Sequence, residues 1–123
     1  MHLNEIDYGT ARPVEGYGPG FFRVAGKVIE GPLVLTPRGA APWDGSAAPL
    51  LALAGDVDVV FLGTGGDIAN PPEHLVTALE EAGMGVEIMS SPSACRTYNV
   101  LLGEGRRIAA ALLPVEAPSE DQP

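Results

Sequence analysis

Cys95 is the single cysteine in a chain of 123 residues. A lone cysteine cannot close an internal disulfide, so no oxidising compartment is implied. Lysine is as scarce: Lys27 stands alone, and the other basic residues are scattered arginines. Against seven basic residues there are sixteen acidic ones, for a formal net charge of −9. That balance repels a phosphate backbone and leaves no lysine-rich face for acidic lipid. Nucleic acid is not expected as a partner. The two histidines, His2 and His74, lie far apart; with one cysteine they make no metal-ligand spacing. No metal and no cofactor are expected. Long hydrophobic runs are missing as well, since residues 57–62 and 108–114 are too short to span a bilayer. Residues 1–7 carry neither the positive flank nor the apolar stretch of a signal peptide, so a cytoplasmic chain is expected.

What the chain does have is apolar content. Hydrophobic residues make up 46% of it, enough to build a core and to exclude wholesale disorder. We expect one domain over residues 1–114 and a disordered, polar, proline-containing tail over 115–123.

Up to about Pro49 the sequence is rich in Gly and Pro, with β-like runs between. Gly18-Pro19-Gly20 is a turn signal before a strand at Phe21-Phe22-Arg23-Val24, and Gly26 permits a tight reversal. Residues 27–36 read as one strand interrupted at Gly31-Pro32, where proline has no N–H to donate. Residues 37–42 read as loop. A helical turn at residues 50–53 ends at Gly55. The β-branched run 57–62 is a strand covered on both faces. Pro71-Pro72 opens a helix with Leu75, Val76, Leu79 and Ala82 on one face, stopped by Gly83. Residues 86–89 are the next strand. Ser91 is the expected N-cap of a last helix, with Pro92 first inside it and Ala94, Tyr98, Leu101 and Leu102 on its buried face. Residues 107–113 form the last strand. The alternation from residue 57 onward predicts an α/β fold with right-handed crossovers between parallel strands, the β-rich first third adding antiparallel strands to the same sheet.

Three places can carry chemistry. Gly63-Thr64-Gly65-Gly66 joins a buried strand to a helix, where backbone N–H groups can cradle an anion. The dinucleotide fingerprint is incomplete, because Ile68 fills the slot of its third glycine, and no lysine follows to make a nucleotide-triphosphate loop. A tight turn is the favoured reading. Cys95 is placed in the first turn of the last helix beside Arg96, where the helix terminus and the cation would favour a thiolate. It has no neighbouring base, so a small buried apolar residue is favoured over a nucleophile. Thr97 and Asn99 are poor helix formers, and Asn99 is expected either to tie the helix to the glycine loop or to meet a ligand. Glu104-Gly105-Arg106 is a turn whose charges pair with each other or with a partner. Phe21, Phe22 and Trp43, with Tyr17, form a candidate partner surface, since aromatic residues anchor interfaces; capping one end of the core is the favoured reading.

Taken together, Gly20-Phe21, Gly26, Trp43, Gly63-Thr64-Gly65, Ala94-Cys95, Thr97-Tyr98-Asn99-Val100-Leu101, Glu104-Gly105-Arg106 and Ala110-Ala111-Leu112-Leu113-Pro114 resemble a small domain-of-unknown-function family. That family includes mitochondrial respiratory complex I assembly factor 3. The specific part is Cys-x-Thr-aromatic-Asn followed by Glu-Gly-Arg, and the resemblance extends over residues 6–114. It implies a single three-layer α/β domain with a mixed, mostly parallel central sheet and helices on its faces. It also implies no established catalysis and a chaperone-like, protein-binding role in assembling a membrane-associated complex. Without a transit peptide, this chain is expected to be prokaryotic and cytoplasmic, reaching the inner membrane only through partners. The competing expectation is a small anionic-ligand binder or thiol-dependent enzyme using the glycine loop and Cys95.

Overall fold

The structure, a computed structural model, describes residues 11–116. His2 and the rest of the first ten residues of the expected domain lie outside the described residues, as do residues 117–123 of the expected tail.

Residues 14–30 fold as an antiparallel sheet of three strands in the order β1 (Val14–Gly18), β2 (Phe21–Val24) and β3 (Lys27–Glu30). The expected turn at Gly18-Pro19-Gly20 joins the first two. Ala25 and Gly26 join the next two with φ of 53° and 75°, the left-handed pair whose twist suits a two-residue hairpin. The Glu15 carboxylate steadies that turn by accepting from the Gly26 N–H at 2.7 Å.

Two expectations for the next residues are corrected. Residues 27–36 are not one interrupted strand, because β4 (Leu33–Thr36) belongs to a second sheet. Gly31, at φ 81°, adopts a backbone that few other residues tolerate, and with Pro32 it redirects the chain from one sheet to the other. Residues 39–42 are not loop: β5 (Gly39–Pro42) pairs antiparallel with β4. Its Gly-Ala-Ala-Pro sequence has no hydrophobic alternation to reveal it, and proline is tolerated there because β5 is an edge strand.

The second sheet has five strands in the order β5-β4-β8-β6-β7, where β6 is Val59–Thr64, β7 is Gly85–Met89 and β8 is Ile108–Leu113. β6 runs parallel to β7 and β8, while β4 is antiparallel to β5 and β8. The fold is therefore α/β with a mixed sheet, its pairings evenly divided rather than mostly parallel. Of the described strands before residue 43, only β4 and β5 join it.

Three helices complete the described residues: α1 (Ala48–Leu51), α2 (Glu73–Glu81) and α3 (Ser91–Gly103). Pro72 is the N-cap of α2 rather than a helical residue. At α3 the cap is Ser90, whose hydroxyl accepts from the Ser93 N–H; Ser91, expected in that role, is the first helical residue.

Period-two alternation sorts the sheet residues onto its two faces. Leu33, Leu35, Phe61, Ile108, Ala110 and Leu112 pack with Ala94, Cys95 and Tyr98 of α3 and with Val14, Phe22 and Val24 of the small sheet. Val34, Val60, Leu62, Ala109 and Ala111 pack with Leu50 of α1, with Leu75 and Leu79 of α2, and with Trp43. The two longer helices thus cover opposite faces, as right-handed crossovers running first outward to β7 and then back to β8 require. Phe22, Phe61, Leu33, Leu35, Leu75, Leu79 and Tyr98 are essentially fully buried. Each apolar side chain of that size contributes about 1.5–3 kcal/mol to folding.

Candidate functional site

The glycine loop is organised by Ser91. Its hydroxyl accepts from the Gly65 N–H at 2.9 Å and donates to the Leu113 carbonyl at 2.5 Å. Its own backbone N–H donates to the Gly65 carbonyl at 2.7 Å. One fully buried serine therefore joins the end of β6, the end of β8 and the start of α3. Gly63 makes this possible by its lack of a side chain: a Cβ there would lie 2.7 Å from Leu112 Cδ2 and 2.8 Å from Ser91 Oγ. Gly65 contributes a φ of 96°. Thr64 closes the loop, donating its hydroxyl to the Asp67 carbonyl at 2.8 Å and accepting from the Ala69 N–H at 2.9 Å. The Gly65 amide, one of the N–H groups an anion-binding loop would present, is engaged inside the protein.

Cys95 is buried within the core under α3. It is the fifth residue of the helix, beyond the first turn where the sequence placed it. Burial pushes its thiol up to about 11, against a smaller opposing pull from the Arg96 charge. His74 is exposed on α2, across the sheet. Tyr98 is fully buried; its hydroxyl has no hydrogen-bond partner among the described residues, and burial raises its pKa. Arg96 is exposed and donates to the Ser93 hydroxyl at 3.2 Å. Thr97 lines a shallow surface depression with Arg96, Val100 and Leu101.

Asn99 does not reach the glycine loop. Its carboxamide accepts from the Val14 N–H and donates to the Val14 carbonyl, both at 2.8 Å. It ties α3 to β1, a strand that the sequence reading missed. Glu104 and Arg106 are both exposed, flanking Gly105 at φ 78°. The ion pair of this region is made instead by Arg107, which meets Asp58 at 2.9 Å. That pairing lowers the Asp58 pKa and raises that of Arg107.

Of the expected aromatic partner surface, Phe22 is fully buried and Trp43 only 9% exposed. Phe22 faces the core because it alternates with exposed Arg23 on β2. The Trp43 ring packs on the α2 face and its Nε1 donates to the Ser46 carbonyl at 2.9 Å. Phe21 is half-buried and Tyr17 is exposed.

Trp43 is also one wall of a cleft of about 230 Å³. Leu62, Gly63 and Thr64 of β6 form its floor with Ala111 and Leu113 of β8, and Ala69, Asn70, Pro71, Pro72 and Leu75 form the opposite wall. The cleft lies beyond the carboxyl end of β6 and against the start of α2, where ligands of open α/β sheets sit. Sequence reasoning found Trp43, Gly63 and Thr64 but not the prolines, whose signal was absorbed by the helix start. Among the described residues, no group of His, Cys, Asp and Glu is arranged to hold a metal ion, and no helix is long and apolar enough to cross a membrane.

The chain belongs to the family described as Protein of unknown function (DUF498/DUF598), whose profile matches residues 14–113. An uncharacterized protein of Rhodobacter capsulatus is 51% identical over 94% of this chain and 94% of its own. The NADH dehydrogenase (ubiquinone) 1 alpha subcomplex assembly factor 3 of Mus musculus is 28% identical, covering 93% of this chain and 66% of that longer protein. Among solved structures, one described as an outer membrane protein from Bartonella henselae has a TM-score of 0.80 and 31% identity, covering 89% of this chain and all of that one.

Proposed function

We propose that this chain is a non-catalytic protein-interaction module that assists assembly of a membrane-associated, respiratory complex I-like protein complex. The observation that carries this reading is the match to assembly factor 3 along 93% of the chain, which takes in the whole fold rather than one motif. On this reading residues 1–114 act as one α/β domain followed by a short tail. The protein works in the cytoplasm, meeting the membrane through its partners. A thiol-dependent or anion-binding role has less support: burial keeps the Cys95 thiol protonated near neutral pH, and Ser91 occupies the Gly65 amide.

The test is affinity capture of the tagged full chain from gently solubilised cells of its own source, with mass spectrometry of what accompanies it. Reproducible recovery of respiratory-complex or membrane-insertion subunits is the expected result. Recovery of no such subunit from cells that are assembling the complex overturns the proposal.

A further inference from the structure

The cleft beside Trp43 has an apolar lining, and the Asp and Glu residues nearest its lining in sequence are exposed. Its interior is set by Trp43, Leu62, Pro71, Pro72 and Leu75, and the two prolines contribute no N–H groups. Three acids are placed around it by the chain itself. Asp44 lies between the lining residues Trp43 and Gly45, Glu73 follows the lining residue Pro72, and the Asp67 carbonyl is held by the lining Thr64. All three side chains are exposed. No lysine or arginine is adjacent in sequence to any lining residue, in a chain whose net charge is −9. The volume of about 230 Å³ is below the roughly 300–1,000 Å³ of pockets that enclose small molecules or cofactors. It suits one bulky side chain entering from outside.

We infer that this cleft docks a protein partner through one large apolar side chain, aromatic or leucine-like, flanked by lysine or arginine. The inference rests on the reading of the chain as a protein-interaction module and gives that module its recognition site. The apolar side chain gains stability by leaving water against Trp43 and the prolines. The flanking cations meet Asp44, Asp67 and Glu73, which speeds encounter and excludes acidic competitors. A rim of this kind also makes binding weaken as salt rises.

Trp43 is the only tryptophan, so its emission reports on this cleft alone. The experiment titrates the full chain with three synthetic hexapeptides at pH 8: Lys-Arg-Leu-Phe-Arg-Lys, Glu-Asp-Leu-Phe-Glu-Asp and Lys-Arg-Ser-Ser-Arg-Lys. The first is expected to shift Trp43 emission saturably, the other two not. The pair of changes Asp67→Lys and Glu73→Lys, both on exposed positions, is expected to weaken the first peptide about tenfold or more while circular dichroism stays unchanged. Ala69→Arg, at the exposed wall of the cleft, is expected to abolish the shift. Equal binding of the acidic peptide or of the serine peptide overturns the inference. So does an emission change produced by laurate but by none of the peptides, or one that follows protein concentration as a second copy docking would. Failure here is separable from failure of the assembly reading: a folded Asp67→Lys, Glu73→Lys chain that still captures the wild-type set of assembly subunits overturns the cleft and leaves the function standing.

Discussion

The carboxamide of Asn99 holds the backbone of Val14 by two hydrogen bonds of 2.8 Å, across 85 residues of sequence. A side-chain amide has one donor and one acceptor edge, so it meets both polar groups of a strand residue as a neighbouring strand would. The contact falls where the pairing of β1 with β2 shifts register, between Val14 and Gly16. α3 therefore completes the hydrogen bonding of the strand at its irregular point.

Replacing Asn99 by alanine leaves the Val14 N–H and carbonyl without these partners in a part-buried place. The expected cost is about 1–3 kcal/mol, read as a thermal midpoint several degrees lower. Amide exchange at Val14 should accelerate more than exchange in β6. Unchanged exchange at Val14 would show that the tie is dispensable.

Gly63→Ala tests the close approach of α3 to β6. Its Cβ would meet Leu112 Cδ2 at 2.7 Å, Ser91 Oγ at 2.8 Å and Ser91 Cα at 3.0 Å. One of these is backbone, so a rotamer change cannot relieve all of them. Overpacking of this kind costs about 1–3 kcal/mol. Ser91→Ala is expected to cost a similar amount, about 1–3 kcal/mol, by stranding the Gly65 N–H and the Leu113 carbonyl. In urea melts the double variant should lose less than the sum of the singles, because both act on one contact.

Phe22→Ala separates a core residue from a docking residue. Phe22 is wholly buried, so its truncation should destabilise the fold by about 3–5 kcal/mol. A variant that kept wild-type stability yet lost a partner would contradict its placement in the core.

Stability should fall at high pH in a way that Cys95 governs. An ordinary thiol has a pKa of 9.0, and burial raises that of Cys95 in the folded chain to about 11. A raised folded-state pKa means that the unfolded chain releases its proton first. The contribution is therefore complete below pH 9 and is lost as pH climbs towards 11. Tyr98, shifted the same way by burial, adds to the loss above the range of an ordinary tyrosine. The thermal midpoint of the wild type should drop over this window more than that of Cys95→Ala, and native Cys95 should react slowly with a thiol reagent at neutral pH. Rapid labelling without unfolding would overturn the buried assignment.

Much of the fold was written in local pattern. The β-branched run ending in β6, the Leu75 and Leu79 spacing of α2, the continuous apolar run of β8 and the stop at Gly83 each depend on neighbours a few residues away. They could be read without knowing what packs against them. The resemblance carried by Cys95, Thr97, Tyr98, Asn99 and the Glu104-Gly105-Arg106 turn likewise needed only residue identities, and the family match over residues 14–113 agrees with it.

What only the tertiary structure decided concerns partners distant in sequence. Residues 27–36 look continuous because strand propensity is local, yet Gly31 and Pro32 send their two halves into different sheets. β5 lacks a hydrophobic pattern and becomes a strand because β4 offers it an edge. Asn99 could have bonded any nearby backbone, and packing of α3 against β1 chose Val14. Phe22 and Trp43 could be read as surface or, by preference, as capping the core, and the alternation of β2 and the closing of the α2 face buried them. Composition, periodicity and turn chemistry set most of the elements, β5 excepted. Long-range packing set which side chains they bury, which hydrogen bonds they complete, and where the Trp43 cleft opens.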